Sequence, residues 1–405
     1  MIRKSTLLFG LPVMLALAAC SGNEQAPAPE PTATQTTDSN FADSMRSNDR
    51  GDVQDQVAIP DAEDRPIMQA QVVLDRLGFS PGVIDGKMGL STENALVSFQ
   101  EANELDQSGK LDEATKEALQ RWQDIPATRV VTIPEEFAVG RFEKLPEDPA
   151  EKAKMTRLGY ESLDEKLAER FHTTVETLEM LNPNGKPATS ETTPAADATA
   201  TPTATPTPTP TPSATASDGA EAAPASKFAA GQQIRVPNIG ADFIDRSADT
   251  DSKWRDTLQM LGVGTDQPEV TKIVADKSED TLKAYDAEGK LVAAFTITSG
   301  SSHDPLPIGE WKITGIAHNP PFAYDPSLFW DVPDDEEPQQ LPPGPNGPVG
   351  VVWIDLSKEH YGIHGTPAPE TIGRAQSHGC VRLTNWDAAR LAEMVSQSTQ
   401  VIFQE

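Results

Sequence analysis

The sequence has few cysteines, few basic residues and few large apolar side chains. Its 405 residues include 2 cysteines, Cys20 and Cys380, in dissimilar surroundings, which excludes a disulfide framework as the basis of the fold. The 33 Lys and Arg face 62 Asp and Glu, a formal net charge of −29, so nucleic acid is excluded as a default partner. Only 37% of the chain is hydrophobic and 35 residues are proline. This composition predicts small modules joined by linkers.

The N-terminus has the order of a secretory signal, with basic residues first, an apolar stretch from Leu7 to Leu17 and small residues before Cys20. The apolar stretch is too short to remain as a membrane span. Leu17-Ala18-Ala19-Cys20 resembles the bacterial lipobox, and an ordinary cleavage site beside a passenger cysteine is the alternative. The resemblance implies removal of a signal peptide, residues 1–19, and stable lipid anchoring through Cys20. Ser21 after the cysteine then implies the periplasmic face of the outer membrane in a Gram-negative envelope.

Residues 20–65 are rich in Pro, Thr, Ala, Asp and Asn and cannot bury a core, so they predict a flexible tether. From residue 66 to 123 apolar residues take helical spacing, and glycines mark the turns between three helices. Leu77-Gly78-Phe79, Asp85-Gly86 and Phe99-Gln100 in this stretch resemble the peptidoglycan-binding domain family. That resemblance implies a small helical domain that binds the cell wall.

Residues 154–238 contain two short apolar stripes at helical spacing, followed by a long stretch without large apolar residues. That stretch, about 186–227, is a Thr/Pro/Ala-rich insertion that cannot form a core. Leu181-Asn182-Pro183 before it and the strand pattern from Gly231 to Pro237 after it resemble a LysM module. The resemblance implies an interrupted βααβ unit that binds glycan, and a unit that only spaces its neighbours is the alternative.

Residues 269–404 are predicted to form a mostly β domain, the one segment long enough for a substantial core. A single helix is predicted at about 385–397, with small and aliphatic residues facing inward. The predicted strands are rich in β-branched residues and lie at 270–275, 281–285, 291–299, 311–316, 349–356 and 401–403.

This domain holds His364-Gly365, and Cys380 follows His364 by 16 positions in the string Ser377-His378-Gly379-Cys380. A thiol attacks a carbonyl as thiolate, so a catalytic cysteine needs a partner for its proton, and a histidine supplies one near neutral pH. A backbone carbonyl near Gly365 would fix the tautomer of the imidazole. Gly379 would let backbone N–H groups converge as an oxyanion hole. A buried structural cysteine, a hydrogen-bonded histidine, or zinc bound by His364, His378 and Cys380 are the alternatives.

The complete string resembles the signature of L,D-transpeptidases of the YkuD family. Pro307-Ile308-Gly309-Glu310-Trp311 and Tyr361-Gly362-Ile363-His364-Gly365-Thr366 resemble its ErfK-type branch, although that branch more often has Gln at the position of His378. The resemblance implies that Cys380 is the nucleophile and His364 the general base, and that His378, Gly379 and Gly365 support them. It implies no cofactor and no metal.

The implied reaction is acyl transfer from a tetrapeptide stem of peptidoglycan, with release of D-alanine, to an amine acceptor. Peptidoglycan stems and glycan strands are then the partners. A wall-linked lipoprotein as acceptor, water as acceptor in an L,D-carboxypeptidase, and a non-enzymatic wall-binding tether remain alternatives. The predicted fold class is therefore multidomain: a mostly β catalytic domain, a small helical peptidoglycan-binding domain and an interrupted LysM-like module.

Two arginines near the nucleophile are predicted to bind a stem-peptide carboxylate. Residues 351–390 carry as many basic as acidic side chains although the chain is strongly acidic, so anionic peptides are not repelled there. A guanidinium can hold a carboxylate through two parallel hydrogen bonds. We therefore predict Arg374 or Arg382, with Ser377 beside them, as substrate-binding residues. For Arg382 the alternative is a pair with Asp387 or a cap on the helix that begins at Asn385.

Overall fold

The computed structural model describes residues 59–188, 225–240, 244–245, 251–333 and 335–405. The predicted signal peptide, Cys20, most of the predicted tether and residues 189–224 of the predicted insertion lie outside these residues. Among the helices that the structure describes, none has the length and apolar character needed to cross a membrane.

Helices and strands are numbered here in chain order. The α-helices are α1 Pro66–Arg76, α2 Leu90–Ala102, α3 Glu113–Leu119, α4 Glu135–Ala138, α5 Pro149–Lys152, α6 Leu163–Arg170, α7 Val175–Leu181, α8 Ser252–Leu261 and α9 Asn385–Met394. The strands are β1 Thr128–Thr132, β2 Gln233–Pro237, β3 Lys272–Asp276, β4 Thr281–Tyr285, β5 Leu291–Thr296, β6 Gly309–His318, β7 Phe322–Tyr324, β8 Gln339–Leu341, β9 Val352–Leu356, β10 Gly362–His364, β11 Val381–Arg382 and β12 Gln400–Gln404.

Helices α1 to α3 form the helical unit that the sequence predicts. Two buried glutamine side chains hold its turns in the same way. Gln71 accepts a hydrogen bond from the Gly86 amide at 2.8 Å, and Gln100 accepts one from the Gly109 amide at 2.9 Å. Both glycines have positive φ, 75° and 64°, a backbone conformation that favours glycine. The glycine-rich turns therefore depend on polar side chains as well as on the apolar stripes.

The second unit contains α6, α7 and a two-stranded antiparallel sheet of β1 and β2. Thr128 pairs with Pro237 and Thr132 with Gln233, so the unit begins near residue 128. The predicted boundary at residue 154 is therefore wrong. Strand β1 cannot be recognised from the apolar pattern of the helices, because its partner β2 lies far later along the chain.

The third unit is an eight-stranded sheet in the order β11-β10-β9-β6-β12-β3-β4-β5. Strand β6 pairs with β12 along its first half and with β9 along its second, across a bulge between Ile313 and Gly315. All six predicted strands are present, and the predicted helix ends earlier, at Met394. Helix α8 was missed, and its Trp254 lies in the same core as the sheet. The core of this domain therefore includes residues that precede the predicted boundary at 269.

The predicted arrangement of modules on linkers is wrong for the described residues, because the units share apolar cores. Leu291 and Ala294 of β5 belong to the core of the helical unit, together with Leu74 and Phe99. Residue Gly78 packs so tightly on β5 that a Cβ there would lie 2.9 Å from the Val292 carbonyl oxygen. Separation of the helical unit would therefore expose apolar surface on the sheet.

All three units meet at helix α9 through buried polar side chains. His172, between α6 and α7, stacks on Trp386 of α9 with ring centroids 4.9 Å apart. The Asp75 carboxylate of α1 lies 3.2 Å from His172 Nδ1 and 3.4 Å from Arg390 Nη1. Burial raises the pKa of Asp75, but the charge of Arg390 and the contact with His172 outweigh burial and hold this pKa well below its usual range.

Candidate active site

The edge of the large sheet brings the two predicted catalytic residues together. Strands β10 and β11 pair in parallel, with Ile363 opposite Val381 and His364 opposite Arg382. Cys380 immediately precedes β11, so it lies beside the start of β10. Its Sγ is 3.7 Å from the carbonyl oxygen of His360, to which the thiol donates. Residues 365–379 thus form a loop that returns the chain to the neighbouring strand.

His364 is 5% exposed, and its ring has a defined tautomer. Nδ1 lies 2.7 Å from the carbonyl oxygen of Gly365. A carbonyl can only accept a hydrogen bond, so Nδ1 carries the proton and Nε2 keeps a lone pair. The prediction of an orienting carbonyl at Gly365 is confirmed. Burial lowers the pKa of His364 to about 4, so the imidazole is neutral at pH 7 and able to accept a proton.

The partly buried thiol of Cys380 is also neutral at rest. Burial raises its pKa, and a hydrogen bond from the Gly362 backbone and the charge of Arg382 only partly offset that effect. Among the described residues no hydrogen bond links this thiol to the His364 ring. The resting site therefore contains a neutral thiol and a neutral base, not a thiolate–imidazolium pair.

The turn before Cys380 requires glycine. Gly379 has φ 98°, and a Cβ there would lie 2.5 Å from Cε1 of Tyr361. Ser377 holds the same turn, because its Oγ donates to the Cys380 carbonyl oxygen at 2.6 Å and accepts from the Gly379 amide at 3.2 Å. Ser377 is 3% exposed, so the structure shows it holding the turn, and its contact with substrate stays a prediction. The Gly379 amide is committed within the turn. The convergence of neighbouring N–H groups as an oxyanion hole stays a prediction.

His378 contacts the segment between β7 and β8. Its Nε2 lies 2.8 Å from Asp331 Oδ1, and its ring contacts the edge of Phe329 and lies near Trp330. The side chain therefore fastens this segment to the turn that precedes Cys380. The sequence predicted support by His378, but it gave no signal for Asp331, which lies 47 positions earlier.

Arg382 lies at the nucleophile, and neither structural alternative for it is found. Its guanidinium donates to the Gln376 carbonyl oxygen at 3.4 Å, and its charge lowers the pKa of Cys380. The side chain of Thr384 caps α9, and Asp387 accepts a hydrogen bond from Ser80. Arg382 thus remains available beside the thiol.

Arg374 lies elsewhere, against the helical unit. A Cβ on Gly89 would lie 3.6 Å from Arg374 Nη2. No described hydrogen bond or ion pair joins this arginine to Cys380 or His364. The structure therefore separates the two arginines that the sequence offered as equivalent.

Comparison with known proteins gives the same assignment as the geometry. Residues 271–403 match the L,D-transpeptidase catalytic domain family, YkuD. Residues 63–119 match the family described as "Putative peptidoglycan binding domain". The chain therefore carries an L,D-transpeptidase catalytic domain behind a small helical peptidoglycan-binding domain.

Relatives of the transpeptidase domain include proteins named YkuD and proteins named ErfK/SrfK. "Putative L,D-transpeptidase YkuD" of Bacillus licheniformis is 52% identical over 130 residues, which cover 32% of this chain and 63% of that protein. "Probable L,D-transpeptidase ErfK/SrfK" of Escherichia coli is 31% identical over 133 residues, 32% of this chain and 42% of that protein. Among solved structures, an L,D-transpeptidase from Mycobacterium smegmatis matches with a TM-score of 0.28 and 24% identity, covering 34% of this chain and 59% of that one. The chain thus spans less than two thirds of the length of these relatives.

The transpeptidase domain has no described cluster suited to a metal. Within the residues that the structure describes, no group of three His, Cys, Asp or Glu side chains is close enough to hold an ion. His364 and His378 each direct a ring nitrogen to another partner, the Gly365 carbonyl and Asp331. The zinc alternative from the sequence therefore gains no support from the described residues.

Proposed function

We propose that this protein is a peptidoglycan L,D-transpeptidase that uses Cys380 as nucleophile and His364 as general base. One observation carries the proposal: Cys380 lies beside β10, and at the end of β10 the Gly365 carbonyl leaves His364 Nε2 unprotonated. A cysteine with a neutral, oriented imidazole on the neighbouring strand suits acyl transfer through a thioester. The matches to the two domain families support the same reaction on the cell wall.

The first half-reaction starts from the neutral pair. The thiol leaves the His360 carbonyl, its proton passes to His364 Nε2, and Sγ attacks the carbonyl carbon of the third stem residue. The tetrahedral intermediate collapses with cleavage of the peptide bond to the terminal D-alanine, whose amine takes the proton from His364. A thioester on Cys380 and free D-alanine result. Arg382 stabilises the transient thiolate through its charge.

The second half-reaction reverses these roles. An acceptor amine from another stem attacks the thioester carbonyl and gives its proton to His364. The intermediate then expels Sγ, which recovers the proton from His364, and a new amide bond joins the two stems. The histidine therefore acts as base and then acid in each half, as expected for a group that ends each cycle unchanged.

Substrate recognition is assigned to Arg382 in this proposal. Its guanidinium is partly buried, carries one weak hydrogen bond to a backbone carbonyl and lies near both Cys380 and Asp331. A stem-peptide carboxylate would supply a stronger, bidentate partner than that carbonyl. Arg374 would then serve the contact with the helical unit instead.

We further propose that the second unit is a LysM-like glycan-binding module. Strands β1 and β2 enclose α6 and α7 in a βααβ arrangement, with the four-residue helices α4 and α5 inserted between β1 and α6. Asn182 joins the second helix of this arrangement to the last strand. Its side chain accepts from the Arg235 amide at 2.6 Å and donates to the Arg235 carbonyl oxygen at 2.7 Å. Lipid attachment at Cys20 and location at the outer membrane complete the proposal, on the basis of the lipobox-like sequence.

Mass spectrometry of products from purified disaccharide-tetrapeptide tests the function. The full chain should yield a cross-linked dimer with loss of one D-alanine per bond formed, and Cys380→Ala should yield none. Tripeptide without dimer would show water as acceptor and contradict transpeptidation. Unchanged tetrapeptide would contradict the proposed function as a whole.

A further inference from the structure

The residue that orients the catalytic histidine is itself held by a fully buried asparagine. Asn385, the first residue of α9, places its Oδ1 against the α-carbons of Gly350 and Gly365, where a Cβ on either glycine would overlap it. The Val351 amide donates to the same oxygen at 3.3 Å. Because the Gly365 carbonyl selects the tautomer of His364, a shift of Asn385 would move this carbonyl and change the tautomer of the base.

Asn385 is held in turn by a residue of the second unit. Its Nδ2 donates to Glu169 Oε1 at 2.7 Å and to the Pro345 carbonyl oxygen at 3.0 Å. Glu169 lies on α6, in the second unit, 216 positions away in sequence. Its other carboxyl oxygen accepts from the Tyr160 hydroxyl. The amide of Asn385 is therefore fixed on one side by the catalytic domain and on the other by α6.

We propose that Glu169 is a positioning residue of the transferase: through Asn385 it keeps the Gly365 carbonyl where it holds His364 in the Nδ1–H tautomer. This inference rests on the proposed function, in which His364 is the general base. The second unit is then part of the catalytic apparatus and not only a wall anchor.

Burial of the Glu169 carboxyl carries a desolvation penalty, which favours a specific role for this residue. It is 8% exposed, and burial raises its pKa to about 7 although hydrogen bonds from Tyr160 and Asn385 lower it. An apolar side chain of similar size would avoid this desolvation but could not accept the hydrogen bond from Asn385. The buried chain Glu169, Asn385, Gly365 and His364 gives the carboxyl a reason to be there.

The same helix offers a matched control. Glu165 lies one turn before Glu169, and its Oε1 accepts a hydrogen bond at 2.7 Å from Asn346, also in the catalytic domain. The other described bond of the Asn346 side chain goes to the Gly159 carbonyl oxygen, at 3.0 Å. Loss of Glu165 therefore weakens the same interface without touching Asn385.

The test compares four full-length proteins: wild type, Glu169→Ala, Glu169→Gln and Glu165→Ala. The ¹⁵N shifts of the His364 ring report its tautomer without any need for activity, with His364→Gln used to assign the signals. The second-order rate of acylation by a carbapenem is measured by intact mass, below the unfolding temperature of every variant. Glu169→Ala should give mixed tautomers and an acylation rate lower by about tenfold or more. Glu169→Gln, which can still accept from Asn385, and Glu165→Ala should keep the Nδ1–H tautomer and stay within about twofold of wild type.

An unchanged tautomer and rate in Glu169→Ala would overturn the inference. Equal losses in Glu169→Ala and Glu165→Ala would also overturn it, because both would then reflect a loosened interface. If Glu169→Ala does not fold, Glu169→Met keeps the volume, lacks the acceptor and takes its place in the comparison. If the wild type is not acylated, the proposed function fails, and the tautomer comparison alone decides the role of Glu169.

Discussion

Two buried polar regions of this protein differ in ionisation: Asp75 in one is charged, and His364 and Cys380 in the other are neutral. Around α9, Arg390 and His172 hold the pKa of Asp75 below its usual range against the effect of burial. At the sheet edge, His364 and Cys380 have mainly backbone partners, and burial lowers the pKa of the first and raises that of the second. Burial by itself favours the neutral form of every group. Asp75 is ionised because Arg390 and His172 together outweigh burial, whereas the charge of Arg382 only partly offsets the burial of Cys380.

The ionised cluster suits a structural task, and the neutral thiol and imidazole suit proton transfer. A charged, paired cluster joins three units of the chain, and loss of Asp75 would remove the carboxylate that contacts both Arg390 and His172. A neutral thiol and a neutral imidazole can exchange a proton when substrate arrives, without first breaking a strong ion pair. Helix α9 serves both regions, since Asn385 at its start supports Gly365 and Arg390 farther along contacts Asp75.

Removal of the nucleophile should give the largest effect. A carbapenem presents a strained, electrophilic carbonyl to thiols, so it should add once to the full chain, at Cys380. Cys380→Ala should abolish the adduct, as measured by intact mass spectrometry after the same incubation. Cys20→Ala is the control for the second thiol and should still be acylated. An adduct retained by Cys380→Ala would contradict the assignment.

Removal of the base should give the next largest effect. His364→Gln should slow carbapenem acylation by about 10²- to 10⁴-fold, because no other described group is placed to accept the proton. In the wild type the rate should fall as pH drops through about 4, the pKa of His364, since the protonated ring cannot act as base. Stopped-flow rates from about pH 3 to 8 measure this. A rate that already falls below about pH 6.5, the ordinary histidine range, would count against the neutral site.

Where the three units meet at α9, substitution should lower the stability of the fold and leave the chemistry intact. Asp75→Ala removes the carboxylate that contacts both Arg390 and His172 and should lower the free energy of unfolding by about 3–5 kcal/mol. Because the folded pKa of Asp75 lies below its unfolded value, this contribution is present above that unfolded value, 3.8, and is lost as pH falls further. Urea unfolding at neutral and acidic pH measures both effects. Asp106→Ala, an exposed change on the same unit, should stay within about 0.5 kcal/mol of wild type.

The smallest expected effect concerns substrate binding. Arg382→Lys keeps the charge beside Cys380 but loses the guanidinium fork, so the KM for tetrapeptide should rise by about two- to tenfold with carbapenem acylation nearly unchanged. Arg374→Lys, at the contact with Gly89, should leave KM unchanged. A larger KM effect at Arg374 would exchange the two assignments. An equal loss of thermal stability in Arg382→Lys would make that residue structural.

The sequence predicted the reacting groups because their chemistry is local. Cys380, His364, the turn glycine Gly379 and the carbonyl at Gly365 all lie in two short strings, and each string carries its own backbone requirement. Ser377 lies in the same string, but its hydroxyl closes the turn inward. A motif therefore identifies which residues are close to the reaction, and it does not tell which way each side chain points.

The contacts between units could not be predicted from the sequence. Glu169 and Asn385 are 216 positions apart and belong to no shared pattern. Strands β10 and β11 have three and two residues, too short for an alternating pattern to be recognised. Leu291 and Ala294, which join the core of the helical unit, look like ordinary strand residues in sequence. Composition predicts separate modules, but apolar residues shared between the cores join them.

An NMR titration of the His364 ring tests most directly the claim that the resting site is neutral. With the full chain labelled in its histidines and His364→Gln used for assignment, the Nδ1 and Nε2 shifts are followed from neutral pH to about pH 3.5. We expect a neutral ring with the proton on Nδ1 at pH 7 and a protonation midpoint near 4. A doubly protonated ring at pH 7, which would mean a thiolate–imidazolium pair with Cys380, or a midpoint at or above the ordinary value of 6.5, would contradict it.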